Sequence, residues 1–190
     1  RRHTRFKCDW SSDVCSSDLV LNKCGLYHCW LNQYIGNIKS FRQTVKTQMR
    51  EQFRSNWSDE ISTSETCVSY RIIKTEFKIE KYLITLPHTL ARSLCKFRTS
   101  SHKLPVEQGK HEGIARPQRI CTKCNQNRLG DEYHYLFECP AFNEARKQYI
   151  SKYYFVRPNT LKMEQLFNSS SKKLIMLSKF VKGIMENIKA

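Results

Sequence analysis

Three cysteines and one histidine in the second half of the chain have the residue types and the spacing of a metal site. They are Cys121, Cys124, His134 and Cys139, in the segment CTKCNQNRLGDEYHYLFECP. Two thiolates three positions apart can reach one ion from a tight turn, and two further ligands complete the tetrahedral coordination of structural Zn²⁺. The pattern C-x2-C-x9-H-x4-C therefore predicts a closed zinc site with no open position for a substrate.

Other kinds of chemistry fit these residues less well. Ordinary buried thiols beside a core histidine are the plain alternative, but cysteines at this spacing in an intracellular protein favour a metal. A zinc deaminase needs H-x-E followed by P-C-x-x-C, whereas His111 and Glu112 are adjacent and Pro117 stands four residues before Cys121. No oxyanion hole or phosphate-binding glycine loop is evident in the sequence. We therefore expect a protein that is not an enzyme.

The segment around His134 predicts a short helix, because Asp131 and Glu132 are favourable at the positive end of a helix dipole. Tyr133 and Phe137 lie one turn apart on it. They either stack on exposed bases or form the small core of the zinc unit. The second interpretation is favoured because a small zinc unit has little else to bury.

The preceding residues, 20–100, are predicted to form a basic helical region. Apolar side chains recur every three or four positions from Ile38 to Phe53, which is typical of an amphipathic helix. Residues 66–87 predict two short helices. A further helix has Leu90, Leu94 and Phe97 on its apolar face. We expect its basic residues to lie outside that face: Arg92, Lys96 and Arg98.

Residues 101–140 are predicted to be a connector followed by the zinc unit, since the connector is rich in Pro and Gly and has few apolar anchors. Residues 141–190 predict C-terminal helices, the first beginning at Pro140. The closing helix has an apolar stripe of Leu174, Leu177, Val181, Ile184, Met185 and Ile188. No run shows the period-two pattern of a sheet, so the predicted fold is all-α with a small zinc-stabilised CCHC unit.

The charge of the chain predicts a polyanionic partner. It has 33 Lys and Arg against 17 Asp and Glu, a net charge of +16, which favours RNA or DNA. No membrane is expected, because the longest aliphatic run, LIML, is far too short for a bilayer span. The predicted nucleic-acid contacts are Lys39, Arg42, Lys46, Arg50 and Arg54 on the amphipathic helix, and Arg119, Lys123 and Arg128 at the zinc unit. The last three also offset the negative charge of three thiolates around Zn²⁺.

Cysteine usage predicts an intracellular location, in the nucleus or the cytoplasm. The chain has nine cysteines, an odd number, and no visible secretory signal, which indicates reduced thiols. Cys24, His28 and Cys29 have a spacing unlike that of a zinc knuckle. We expect these three to be buried structural residues.

Residues 1–19, RRHTRFKCDWSSDVCSSDL, resemble one reading-frame translation of a short-read sequencing-library adapter. The alternative is a genuine Ser/Asp-rich tail. The resemblance implies that this stretch is an artefact without evolved contacts, and we expect it to be disordered.

Residues 96–150 resemble the zinc-binding region at the C-terminal end of reverse transcriptases from non-LTR (LINE-type) retrotransposons. The likeness is carried by FRTSSHKLP before the site, by Arg119, Glu132, Pro140 and the four ligands in the family's order, and by FNEARKQYI after it. It implies that Cys121, Cys124, His134 and Cys139 bind zinc and that the region grips nucleic acid during target-primed reverse transcription. It also implies an upstream reverse transcriptase domain as a partner. No Tyr/Phe-x-Asp-Asp polymerase motif is present, so no polymerase site is expected in this chain.

The sequence thus predicts a non-catalytic module, a fragment of a retrotransposon polyprotein, that uses Zn²⁺ for its shape and basic residues for RNA or DNA. The alternative is a zinc-stabilised helical protein-protein interaction module in which the charge serves solubility. A continuous basic stripe favours the first hypothesis and an even scatter favours the second.

Overall fold

The computed structural model describes residues 16–64 and 68–189, and the regular structure in these ranges is helical. No β-strand occurs in the described residues, where an isolated bridge pairs Ile120 with Leu129. The prediction of an all-α protein is confirmed. The chain divides into two compact units, residues 1–60 and residues 61–190.

The described part of the first unit contains α1 (Ser16–Lys23), α2 (Tyr27–Asn32) and α3, which runs Ile38–Thr63. An apolar groove of about 520 Å³ lies between the first two helices and the start of α3. The Oδ1 atom of Asn37 accepts the N–H groups of Lys39 and Ser40, at 2.9 and 3.1 Å, and so caps α3. The predicted helix is present, and none of its residues is buried.

The expected disorder of residues 1–19 is wrong for residues 16–19, which form the start of α1. The disorder was expected from the resemblance to an adapter, but the Ser-Ser-Asp sequence at 16–18 is also a favourable helix start. Asp18 stands in the first turn, and its Oδ1 accepts the N–H of Leu19 at 2.7 Å. Residues 1–15 lie outside the described residues.

The expectation of three buried residues at Cys24, His28 and Cys29 holds only for Cys24. His28 is exposed on α2, and Cys29 is half-buried beside it, with its Sγ atom 3.3 Å from His28 Nε2. The difference arises because α2 is a short helix without any buried residue.

The core of the second unit forms around α6 (His88–Arg98) and α11 (Ser171–Lys189), which pack against each other. The predicted apolar faces of both helices are confirmed, since Leu94, Phe97, Leu177, Val181 and Ile184 are completely buried. Among residues 16–64 and 68–189, no helix combines the length and the apolar character that a bilayer crossing requires.

The two short helices expected in residues 66–87 are α4 (Val68–Ile73) and α5 (Lys81–Thr85). The prediction that Arg98 lies outside the apolar face of α6 is wrong, because this side chain is completely buried. Its guanidinium lies 3.1 Å from a carboxylate oxygen of Glu80 and over the rings of Tyr82 and Phe167. The carboxylate and the two aromatic faces offset part of the lost hydration, whereas the guanidinium nitrogens have no hydrogen-bond partner among the described residues.

The prediction that residues 101–120 form only a connector is also wrong, because they contain α7 (Pro105–His111). Pro105 occupies the first turn, where its missing N–H costs nothing. Gly109 is inside the helix because the Arg119 side chain packs against it; a Cβ atom there would lie only 2.7 Å from Arg119 Cγ. The proline and the glycine therefore serve a helix instead of interrupting one.

Helices α8 (Asn143–Tyr149) and α9 (Lys152–Phe155) follow the zinc unit as expected, after a 3₁₀ turn that begins at Pro140. The sequence did not indicate α10 (Thr160–Phe167). Asn159 caps this helix by accepting the N–H of Lys162 at 2.8 Å. Its buried face packs against α4 and consists of Met163, Leu166 and Phe167.

Candidate metal centre

A short hairpin positions the first two cysteines. Its arms meet at the bridge between Ile120 and Leu129. Two hydrogen bonds of 2.8 Å flank this bridge. The N–H of Cys121 donates to the Arg128 carbonyl, and the N–H of Gly130 donates to the Arg119 carbonyl. The turn between the arms contains Cys121-Thr-Lys-Cys124. The N–H of Lys123 donates back to the Cys121 sulfur at 3.4 Å, a contact typical of cysteine turns that bind a metal.

A π-helical turn, His134–Glu138, positions the other two ligands. The N–H of Cys139 donates to the His134 carbonyl at 2.8 Å, which is the five-residue hydrogen bond of a π-helix. Because His134 and Cys139 are five residues apart, this wide turn brings them to one face. Asp131 fixes the start of the turn by accepting the His134 N–H at 2.9 Å. The expected short helix is therefore present, with a π geometry that suits the spacing of its ligands.

The four predicted ligands come together. One ligand atom from each of Cys121, Cys124, His134 and Cys139 lies within 4.8 Å of all the others. The sulfurs of Cys121 and Cys139 are 3.8 Å apart, and the Cys124 sulfur lies 3.4 Å from His134 Nε2. Two sulfurs bound to one tetrahedral Zn²⁺ at 2.3 Å would be about 3.8 Å apart, so the donor set is placed to hold a metal ion.

The electrostatics of the thiols also favour a bound cation. Burial raises the pKa of Cys121, but the neighbouring Tyr135 hydroxyl and the hydrogen bond from the N–H of Lys123 outweigh it and leave this pKa below its usual value. Burial raises the pKa of Cys139 to about 12, and the neighbouring Cys121 sulfur adds to the effect. Adjacent thiolates repel one another in a dry site. A cation at their centre would allow all three to ionise together.

A buried arginine, Arg146 of α8, lies beside the fourth ligand. Its guanidinium donates to the carbonyl of Cys139 and to that of Leu136, both at 2.8 Å, and to that of Tyr135 at 3.4 Å. Burial lowers the pKa of Arg146, and the nearby Cys139 opposes that effect. A cation in this position holds the π turn closed and offsets the negative charge of a three-thiolate site.

No family model, curated protein or solved structure matches this chain. The likeness to the retrotransposon reverse transcriptases therefore stays a prediction from the sequence.

A second layer of side chains orients the ligands. His134 Nδ1 lies 3.4 Å from an oxygen of Glu138, one turn along, so its Nε2 atom is left facing the cysteines. Histidine ligands of metals commonly have such a carboxylate partner on the other ring nitrogen. Glu138 is half-buried, and only its spacing of four residues from His134 indicates this role in the sequence.

Glu132 links the metal centre to the helical core. Its carboxylate accepts hydrogen bonds from Ser69 at 2.9 Å and from Ser100 and His102 at 2.8 Å. The His102 Nδ1 atom accepts the Leu104 N–H, which identifies Nε2 as the protonated nitrogen. Burial raises the pKa of Glu132, but the hydrogen bonds from His102 and Ser100 hold it below its usual value. Sequence reasoning missed this role, because the partners lie 30 to 63 residues away.

The three basic residues predicted at the zinc unit have different surroundings. Arg119 is half-buried, and its guanidinium is occupied by the carbonyls of Ile114 and Val106, to which it donates at 2.8 Å each. Lys123 is half-buried and Arg128 is exposed. Lys123 and Arg128 are therefore better placed than Arg119 to contact a polyanion. The five predicted on α3 are all exposed: Lys39, Arg42, Lys46, Arg50 and Arg54.

The aromatic side chains of the zinc unit form its small core. Phe137 is buried, and Tyr133 packs edge-on against it with 5.3 Å between ring centres. Tyr135 is completely buried and packs edge-on against Phe142. This arrangement favours the core interpretation over base stacking for Phe137.

Proposed function

We propose that this protein is a non-catalytic, zinc-stabilised module that binds nucleic acid, and that it is the C-terminal part of a non-LTR retrotransposon reverse transcriptase. The observation that carries the proposal is the tetrahedral spacing of Cys121, Cys124, His134 and Cys139. Three sulfurs and one imidazole nitrogen are ligands that Zn²⁺ prefers.

A structural role for the metal follows from the donor set. Four protein ligands complete the coordination of Zn²⁺, so no position is left for a water molecule or a substrate. Three of the four, Cys121, His134 and Cys139, are buried. The bound ion would join the hairpin to the π turn.

The basic face of α3 supports nucleic acid as the partner. Lys39, Arg42, Lys46, Arg50 and Arg54 are spaced by three or four residues, so they form one exposed stripe about 22 Å long. Phosphates bound along such a stripe release condensed counterions, which gives affinity without a requirement for sequence. The resemblance of residues 96–150 to the retrotransposon family points to the same partner.

The apolar face of α3, which adjoins the basic stripe, supports the second candidate, a protein-protein interaction module. Ile38, Met49 and Phe53 are exposed on it. Exposed apolar side chains along a helix suit a protein groove and offer nothing to a phosphate backbone. Under this hypothesis, the basic stripe would serve solubility alone.

A salt titration distinguishes the two candidates. The zinc-loaded protein is titrated with a single-stranded and a duplex oligonucleotide at several salt concentrations, alongside a variant with Arg42→Gln, Lys46→Gln and Arg50→Gln. The quantity compared is the slope of log affinity against log salt concentration. Each lost contact makes this slope shallower by about 0.7 for a single strand or about 0.9 for a duplex, so the slope of the variant should be shallower than that of the wild type by about 2 to 3.

The matched control removes the same charge from exposed positions outside α3, with Lys147→Gln, Lys152→Gln and Lys172→Gln. The nucleic-acid proposal requires that the control keep the wild-type slope. Absence of binding at low salt, or equal slopes for both variants, would leave the protein-interaction module as the better candidate.

A further inference from the structure

A polar cavity apart from the metal centre lies in the second unit, where the end of α6, the loop after it and α11 meet. Its volume is about 820 Å³, within the range of sites that hold small molecules. Four basic side chains from three segments line it: Arg92, Lys96, Lys103 and Lys182. None of the four metal ligands lines this cavity.

The charges around the cavity are not balanced. Glu107 and Glu186 also line it, so four cations face two carboxylates and the local charge is +2. Lys182 is 3.7 Å from Glu186. Among the described residues, the side chains of Arg92, Lys96 and Lys103, which are all exposed, have no ion-pair or hydrogen-bond partner. Cations that converge on a concave surface without partners attract an anion of matching charge, and a phosphate monoester carries about −1.5 to −2.

One wall of the cavity is apolar. Leu104 is buried there, and Met185 and Ile188 of α11 are half-buried. An inorganic anion makes no favourable contact with an apolar wall, whereas a sugar or a base can pack against it. The cavity therefore combines the two features that a nucleotide unit needs, a cationic side for the phosphate and an apolar side for the ring.

We propose that this cavity binds the phosphate ester of a nucleotide unit, either a free nucleotide or one unit of a nucleic acid strand. Arg92 and Lys96 are one turn apart on α6, and Lys103 follows in the loop. The planar guanidinium of Arg92 can hold two phosphate oxygens at once, and Lys96 and Lys103 add point charges. The strand form rests on the proposed function, whereas the free-nucleotide form stands without it.

The test compares two probes, ADP and a single-stranded oligonucleotide, on the full zinc-loaded chain. The double variant Lys96→Gln and Lys103→Gln removes two exposed cavity cations. The control, Lys172→Gln and Lys179→Gln, removes the same charge from exposed positions of α11 outside the cavity. Loss of two charge-assisted contacts should weaken a bound phosphate at least about tenfold, while the control should change affinity less than about twofold.

The outcomes identify the source of the phosphate. If ADP binds and only the cavity variant loses it, the site holds a free nucleotide. If ADP does not bind and the oligonucleotide is weakened in the cavity variant but not in the control, the site holds a strand phosphate. Glu107→Gln should strengthen binding in either case, because it removes a negative charge from the wall.

A cavity site for phosphate is ruled out if the cavity variant and the control variant lose the same affinity for the probes, or if the wild type binds neither probe. Oligonucleotide binding that both variants weaken equally would leave the proposed function standing without the cavity. ADP binding without oligonucleotide binding would support the cavity and contradict the proposed function. Zinc content and circular dichroism of each variant confirm that its fold is intact.

Discussion

Replacement of Glu132 tests whether the metal centre is joined to the helical core by a buried carboxylate. Glu132→Ala would remove the acceptor of three hydrogen bonds, from Ser69, Ser100 and His102. Glu132→Gln would keep the shape and most of the hydrogen bonds but remove the charge. The two variants therefore separate the cost of the missing acceptor from the cost of the missing charge.

The expected magnitudes follow from the contacts. Each hydrogen bond to a charged group contributes about 1.5 to 3 kcal/mol, and three such bonds on one carboxylate are not additive. Each of the three donors left without an acceptor would cost about 1 to 3 kcal/mol, and these costs are not additive, so we expect about 3 to 5 kcal/mol for Glu132→Ala. We expect about 1 to 2 kcal/mol for Glu132→Gln, because its amide oxygen can still accept from Ser100 and His102.

The assay is urea unfolding followed by circular dichroism in zinc-saturated buffer, with zinc content measured for each variant. Glu144→Ala is the control, because Glu144 is exposed and paired only with Lys147 on the surface of α8. It should cost less than about 1 kcal/mol. The reasoning is refuted if Glu132→Ala costs no more than this control, or if Glu132→Gln costs as much as Glu132→Ala.

Three further predictions concern α7 and the hairpin that carries Cys121 and Cys124. Gly109→Ala should destabilise the protein by about 1 to 2 kcal/mol despite the better helix propensity of Ala. The new Cβ atom would meet the Arg119 side chain, which two hydrogen bonds hold in place. A urea midpoint at or above that of the wild type would contradict this prediction. Burial raises the pKa of Glu107, and the charge of Glu132 raises it further. Ionisation of Glu107 therefore lowers the stability of the fold as the pH rises from 4.5 through the folded-state pKa. Glu107→Gln should therefore be more stable than the wild type at pH 7 and lose that advantage below pH 4.5, and the opposite trend in unfolding free energy would disprove it. Replacement of Lys123 and Arg128 by Gln should make the salt slope of oligonucleotide binding shallower by about 1 to 2 with zinc content unchanged; an unchanged slope would remove them from the interface.

The sequence predicted the features that depend on local spacing. The four ligands were visible because a metal site fixes residue types at short intervals, and α6 and α11 were visible because their apolar residues recur at the helical period. Helix α7 was not predicted because a glycine, taken by itself, indicates a break in a helix. Gly109 is tolerated inside this helix because the Arg119 side chain packs against it, and that contact forms only in the folded chain.

The buried charges could not be predicted in the same way. Arg98, Glu132 and Arg146 are all ordinary surface residues by type, and each is buried against partners that its position in the sequence does not indicate. Glu80 with two aromatic rings surrounds Arg98, and three carbonyls of the π turn surround Arg146. Such partners are known only once the chain has folded.

Elemental analysis of the purified protein tests whether Cys121, Cys124, His134 and Cys139 hold zinc. We predict one zinc per chain by elemental analysis, lost in both His134→Ala and Cys139→Ser and retained in Cys29→Ser, a half-buried cysteine outside the site. Removal of the ion by a chelator should unfold the zinc unit, with loss of helical circular dichroism that added Zn²⁺ restores. Protein that contains no zinc when purified without chelator, or that keeps its spectrum and unfolding midpoint after chelation, would contradict the account.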